Sequence, residues 1–209
     1  MQEQNKVFDV INPDSARPLI LTCEHASAAI PSGYDNLGLS PIWLDTHIAR
    51  DKGCRELTET LAQKLGCTAF LAGYSRLFVD YNRRETEASL IVDESDKVII
   101  PGNQNLSDAE RKYRIENYHR PYYHAIMAKI ESLRQQGVTP RIFSVHGFTP
   151  QLRGGSFRPW NAGILYVTPN AFAEKLLRGL RNLPELKVDA NVPYDMRRYN
   201  TGAAAICGE

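Results

Sequence analysis

The chain lacks the features that mark several specialised classes. No apolar run approaches the ~20 residues that cross a bilayer, so nothing reads as a membrane helix. Opposite charges nearly cancel, with 25 Lys and Arg against 24 Asp and Glu for a net charge of +1. That balance excludes a bulk electrostatic pull toward nucleic acid or an anionic membrane. Cys23, Cys54, Cys67 and Cys207 are scattered and form no Cys-x-x-Cys pair. They read as reduced thiols of a cytoplasmic protein, not as a disulfide framework or a zinc ribbon. The start, Met1-Gln2-Glu3-Gln4-Asn5, has neither the basic residues nor the apolar core of a secretory signal. Internal repeats and linkers are also missing, so residues 1–209 read as a single domain with one sizeable core. At 43% hydrophobic and 23% charged residues, the composition is that of an ordinary soluble globular chain.

What is present is an alternation of short apolar runs and amphipathic stretches. Leu19-Ile20-Leu21, started by Pro18, reads as a short buried strand. Residues 68–72, 77–79, 141–145, 164–167 and, more weakly, 186–188 read as further strands. Helices are expected from Ser40-Pro41 and after Asp51, the latter with a Cys54, Leu57, Leu61, Leu65 stripe closed by Gly66. The capping box Ser107-Asp108-Ala109-Glu110 opens a long helix that Pro121 should kink or split and Gly137 should close. Thr168-Pro169 caps a last one, with Phe172, Leu176 and Leu180 on one face. Residues 85–106 carry no clean period and read as a long excursion of the kind that is usually functional. The alternation predicts an α/β fold of three layers: a mostly parallel or mixed central sheet with helices on both faces.

Two strands end in histidine. The first runs into Cys23-Glu24-His25, and the strand from 141 delivers His146. In open α/β sheets the carboxyl ends of strands are where ligands bind. A third polar group lies in His47-Ile48-Ala49-Arg50-Asp51, where Asp51 precedes a helix and also suits its cap. Catalytic zinc takes three protein ligands of the His or carboxylate type and keeps a position for water. His25, His146 and one carboxylate would supply them, with Asp51 ahead of Glu24 or Asp45, although no His-x-x-Glu spacing marks the site. The plainer alternative is a core histidine beside a surface glutamate.

A second constellation is Ser75-Arg76-Leu77-Phe78-Val79-Asp80-Tyr81-Asn82-Arg83. On a strand, Asp80 and Asn82 would share a face, and Arg76 and Arg83 carry guanidinium groups suited to a carboxylate. The alternative is a solvated basic strand end. A thiol nucleophile at Cys23 is less favoured: two residues of strand put it about 6.6 Å from His25, long for a hydrogen bond, and a small buried hydrophobe is the simpler role. His119 and His124, in a tyrosine-rich helix beside Pro121, read as packing or surface residues.

Five of these pieces in order resemble one family. Cys23-Glu24-His25-Ala26-Ser27, His47-x3-Asp51-x-Gly53, Ser75-Arg76 with Asp80-x-Asn82-Arg83, Ser144-Val145-His146-x-Phe148-Thr149-Pro150 and Arg158-Pro159-Trp160 are similar to the motifs of the N-formylglutamate amidohydrolases, from about Pro18 to the end of the chain. The resemblance implies the zinc-dependent exopeptidase-like fold shared with carboxypeptidases and aspartoacylases. It implies hydrolysis of the amide of an N-formyl or N-acyl acidic amino acid, a small-molecule substrate, by a cytoplasmic enzyme of amino-acid metabolism. It further implies Zn2+ held by His25, Asp51 and His146, substrate held by Arg76, Asp80, Asn82 and Arg83, and Glu24 as a catalytic carboxylate. Family members continue past a Gly-Glu like Gly208-Glu209 into another strand and a helix, and a Glu-x-Arg on that strand holds the general base. The single domain 1–209 is therefore expected without that strand and helix, which leaves open a non-catalytic domain that only binds a small acylated amino acid.

Overall fold

A four-stranded sheet forms the centre of the computed structural model, which describes residues 6–196. Strands β1 (Phe8–Ile11), β2 (Leu19–Cys23), β3 (Thr68–Ala72), the small hairpin β4 (Glu94–Ser95) and β5 (Val98–Ile99), β6 (Arg141–Ser144), β7 (Ala162–Ile164) and β8 (Val188–Ala190) follow one another along the chain. Helices α1 (Pro41–Leu44), α2 (Cys54–Leu65), α3 (Asp108–Arg114), α4 (Arg120–Gln135) and α5 (Ala171–Arg181) intervene. The central sheet runs β1-β3-β2-β6, with β1 antiparallel to β3 and the other pairs parallel, so it is mixed.

Near-continuous apolar character in β2 and β3 is what burial on both faces requires. Alternation along the strands splits it into two cores. Ile20, Phe70 and Ala72 pack with Tyr122, Ile126, Ile130 and Leu133 of α4. Leu21, Cys23, Ala69 and Leu71 pack with Cys54 and Ala62 of α2. Helices thus cover both faces, giving the three layers expected. β7 and β8 pair in parallel under α5, and Ile164, Ala173, Leu177 and Val188 form their own small core. A cleft of about 430 Å³, lined by residues such as Ile142, Phe143, Ile164 and Phe172, lies between β6 and this unit. Among the described residues β6 pairs only with β2 and β7 only with β8.

Several boundaries differ from the sequence expectation. Residues 77–79 are a turn, not a strand: Ser75 accepts from Leu77 N through its hydroxyl and from Phe78 N through its carbonyl, capturing the chain locally. Their apolarity reflects core burial of Leu77, Phe78 and Val79. On α2 the buried face is Cys54, Thr58 and Ala62, while Leu57 is 50% exposed, because small residues let the helix lie close on the sheet. On α5 Ala173 and Leu177 are buried, and Asn170 is the cap, accepting from Ala173 N at 2.9 Å. β7 begins two residues earlier than expected and β8 two later, and β1 was not anticipated. The split at Pro121 is present: Ile115–His119 form a π-helical turn and α4 starts with Pro121 in its first turn. Ser107 caps α3 through Glu110 N at 3.2 Å, but the Glu110 carboxylate turns to Arg114 and the reciprocal half of the box is not made. The end of the chain, including Cys207, Gly208 and Glu209, lies outside the described residues.

Candidate metal centre

Parallel pairing of β2 with β6 brings the two histidines together. Thr22 stands opposite Ser144 in the register, and their hydroxyls are 2.7 Å apart. Three residues beyond Thr22 is His25, and two beyond Ser144 is His146, so both leave the same end of the sheet. Asp51 arrives on the segment before α2. Its N–H donates to His25 O at 3.0 Å, and Ser75 Oγ ties the adjacent Ala49 O at 2.8 Å. The helix takes Gly53, in the left-handed region at φ 81°, as its cap, which leaves the Asp51 carboxylate free to point inward.

Three atoms converge. His25 Nδ1 lies 3.2 Å from Asp51 Oδ2 and 3.2 Å from His146 Nδ1, and His146 Nδ1 lies 3.4 Å from Asp51 Oδ2. Donors at about 2.0–2.2 Å from a tetrahedral ion are spaced by about 3.3–3.6 Å, close to the 3.2–3.4 Å of this triangle, which could therefore hold a zinc-type ion. The far side of each ring meets a buried carboxylate. His25 Nε2 donates to Asp80 Oδ1 at 2.8 Å, which leaves its Nδ1 lone pair toward the triangle. His146 Nε2 lies 2.9 Å from Glu24 Oε2, an ion-pair contact rather than an aligned hydrogen bond. Carboxylates behind ligating imidazoles fix ring orientation and raise ligand basicity. Gly147 N–H donates to Asp51 Oδ2 at 2.9 Å.

The electrostatics favour positive charge at this point. Burial would raise the Asp51 and Asp80 carboxyls, but the His146 and His25 imidazoles around Asp51, and Arg76 and His25 beside Asp80, hold both well below the usual range. Burial alone would lower His146. The carboxylates of Asp51 and Glu24 beside the ring outweigh it and raise the imidazole to about 10. Two carboxylates there stabilise a cation, and a metal ion would compete with the proton.

Each expected site residue has a definite place. His25, Asp51 and His146 form the triangle. Glu24, expected as catalytic, is fully buried and reaches His146 at the nitrogen that faces away from it. Asp80, expected to touch substrate, is taken up by His25, Arg76 at 3.1 Å and Asn82 N at 2.8 Å. Arg76 Nη1 stands 3.3 Å from His25 Nδ1 and 3.7 Å from Asp51 Oδ1, at the rim of the triangle. The Arg83 guanidinium has no hydrogen-bond acceptor among the described residues, and Asn82 Oδ1 is buried without a partner. His47 pairs with Asp96 at 3.1 Å outside the triangle, and Asp45 is exposed with Arg50 and Lys52. Cys23 is fully buried, and burial pushes its thiol strongly up and the Cys54 thiol to about 12, which disfavours a thiol nucleophile. Sequence reasoning missed Gly147, whose donation to Asp51 depends on β6 meeting the α2 entry, and it missed Ser75. The Ser75-Arg76 pair was visible, but not what the hydroxyl holds.

The class of protein this defines is an α/β fold with a His/Asp/His cluster that could hold a metal ion at the ends of parallel strands. The family described as N-formylglutamate amidohydrolase matches residues 17–205, and the chain belongs to that family. A gene product from Agrobacterium tumefaciens is similar in structure, with a TM-score of 0.85 and 31% identity over 93% of this chain and 76% of that one. An N-formylglutamate amidohydrolase from Ralstonia eutropha JMP134 shares the fold at a TM-score of 0.68 and 20% identity, over 90% of this chain and 76% of that one. No curated protein sequence matches. Among the described residues no helix is long and apolar enough to cross a membrane.

Proposed function

We propose that the protein is a zinc-dependent amidohydrolase that cleaves the amide of an N-formyl or N-acyl acidic amino acid. The observation that carries this reading is the triangle of His25, Asp51 and His146 donor atoms, spaced 3.2–3.4 Å with a carboxylate behind each ring. Zinc held by these three residues would lower the pKa of water to about 7 and polarise a carbonyl.

The chain's own groups do the rest. Asp80 keeps the His25 Nε2 proton in place and fixes its tautomer. Glu24 holds the His146 ring from behind, an orienting role rather than contact with substrate. Arg76, restrained by Asp80, presents Nη1 at the rim, where it can stabilise negative charge on the substrate oxygen. Arg83 and Asn82 offer a guanidinium and an amide for a substrate carboxylate, which orients the scissile bond. A neutral N-acyl amine would leave the Arg83 guanidinium unanswered, which is why an acidic amino acid is the substrate class favoured.

Formate release from N-formyl-L-glutamate tests the reading. Activity should follow zinc loading, disappear with a chelator and fall by at least ~10³-fold in His146→Ala. Turnover indifferent to both would remove it. Thermal stabilisation by the compound without turnover at any zinc loading would favour a domain that only binds.

A further inference from the structure

Segment 78–87 carries Asp80, Asn82 and Arg83 and is not a strand, so no ladder takes its carbonyls. Turn N–H groups take the carbonyls of Asp80 and Arg84, and side chains of one helical run take five others. Arg114 Nη1 donates to Phe78 O at 3.1 Å, Tyr123 donates to Tyr81 O, and His119 Nε2 donates to Arg83 O at 2.9 Å. Arg111 Nη2 donates to Glu85 O at 3.0 Å and Glu87 O at 2.7 Å. Arg120 grips the Glu85 carboxylate with two bonds of 2.9 and 2.8 Å.

Residues 114 and 119 are five apart. In an α-helix five residues leave side chains about 140° out of phase. The π turn over Ile115–His119 absorbs the difference, because its hydrogen bonds span five residues. His119 and Tyr123 thereby share the face of Arg111 and Arg114. His119 is 3% exposed and packs between Tyr81 and Tyr123. Burial lowers its imidazole, so the ring is neutral and its one proton sits on the nitrogen that meets Arg83 O.

The main chain of this stretch is thus held at its carbonyls, while the Arg83 guanidinium makes no hydrogen bond among the described residues and is left for a ligand. We propose that His119 is a positioning residue: by fixing the Arg83 carbonyl it pre-organises the Arg83 guanidinium and Asn82 amide for the substrate carboxylate, and the π turn is the feature that places it. This inference rests on the amidohydrolase reading above.

A double-mutant cycle tests it, with N-formyl-L-glutamate as ligand. His119→Leu should raise KM about tenfold, the worth of a buried hydrogen bond, with little change in kcat. His119→Gln, whose amide can donate to the same carbonyl, should recover most of that loss. In an Arg83→Ala background His119→Leu should add nothing further. Equal KM penalties in both backgrounds, or a loss confined to kcat, would overturn the proposal. Amide hydrogen exchange without ligand supplies a second readout. His119→Leu should speed exchange about tenfold within residues 80–87 and leave α2 and β3 unchanged, with His119→Gln restoring protection. Unchanged or uniformly faster exchange overturns the proposal whatever the kinetics. If the wild type neither binds nor hydrolyses the compound while residues 80–87 respond as stated, the amidohydrolase reading falls and the positioning by His119 stands.

Discussion

Replacing Asp80 by asparagine keeps its shape and removes its charge, which separates holding a ligand from being one. The Asp80 carboxylate touches His25 at Nε2 and Arg76 but not the triangle. Asp80→Asn should therefore weaken zinc binding about 10–100-fold without abolishing it, whereas Asp51→Asn should abolish stoichiometric binding; a zinc titration with a competing chelator separates the two. Cys23 gives the opposite case. It is fully buried with a raised thiol, so iodoacetamide applied to the native protein should leave it unlabelled and activity unchanged. Mass spectrometry of the labelled protein checks this. The triangle was legible in the sequence because strand ends carry side chains to one edge of a sheet, and His25 and His146 each follow an apolar run. The contacts of Asp80 and Glu24 were not, because each depends on which ring nitrogen it meets across the fold, and no spacing along the chain encodes that.

At the level of elements, caps and close approaches decide. Ser107 Oγ takes the Glu110 N–H at the start of α3, so Ser107→Ala should cost about 1 kcal/mol in denaturant unfolding. Gly73 follows β3 where β1 crosses it: a Cβ there would lie 1.8 Å from Lys6 O. Gly73→Ala should then destabilise by at least ~2 kcal/mol, because backbone rather than a side chain must give way. β2, β3, the end of α2 and the split of the long helix were readable from local pattern, since an apolar run, a closing glycine and a proline each act within a few residues. The turn at 77–79 defeated pattern reading: Leu77, Phe78 and Val79 are as apolar as a strand, and only the Ser75 hydroxyl, which takes Leu77 N, tells them apart. The π turn was equally hidden, because it answers to carbonyls of segment 78–87 far away in sequence.

For the molecule as a whole, the mixed sheet is a frame that brings three distant stretches, around residues 25, 51 and 146, within one ion's reach. An ion that binds only the folded state must stabilise it. Zinc at a hundred times its Kd should add about 2.7 kcal/mol and raise the melting temperature, and the gain should vanish in Asp51→Asn. The alternation of strands and helices made this α/β frame legible in advance. The meeting of Asp51 with the two histidines was only suggested, since β2–β6 pairing and the Asp51 N–H bond to His25 O are long-range events.

An anomalous-scattering map at the zinc edge, from crystals of zinc-loaded protein, bears on the central claim most directly. The account predicts one strong peak about 2.0–2.2 Å from His25 Nδ1, His146 Nδ1 and Asp51 Oδ2. An active, zinc-loaded protein whose peak lies among other residues, or that shows none at this triangle, would contradict it.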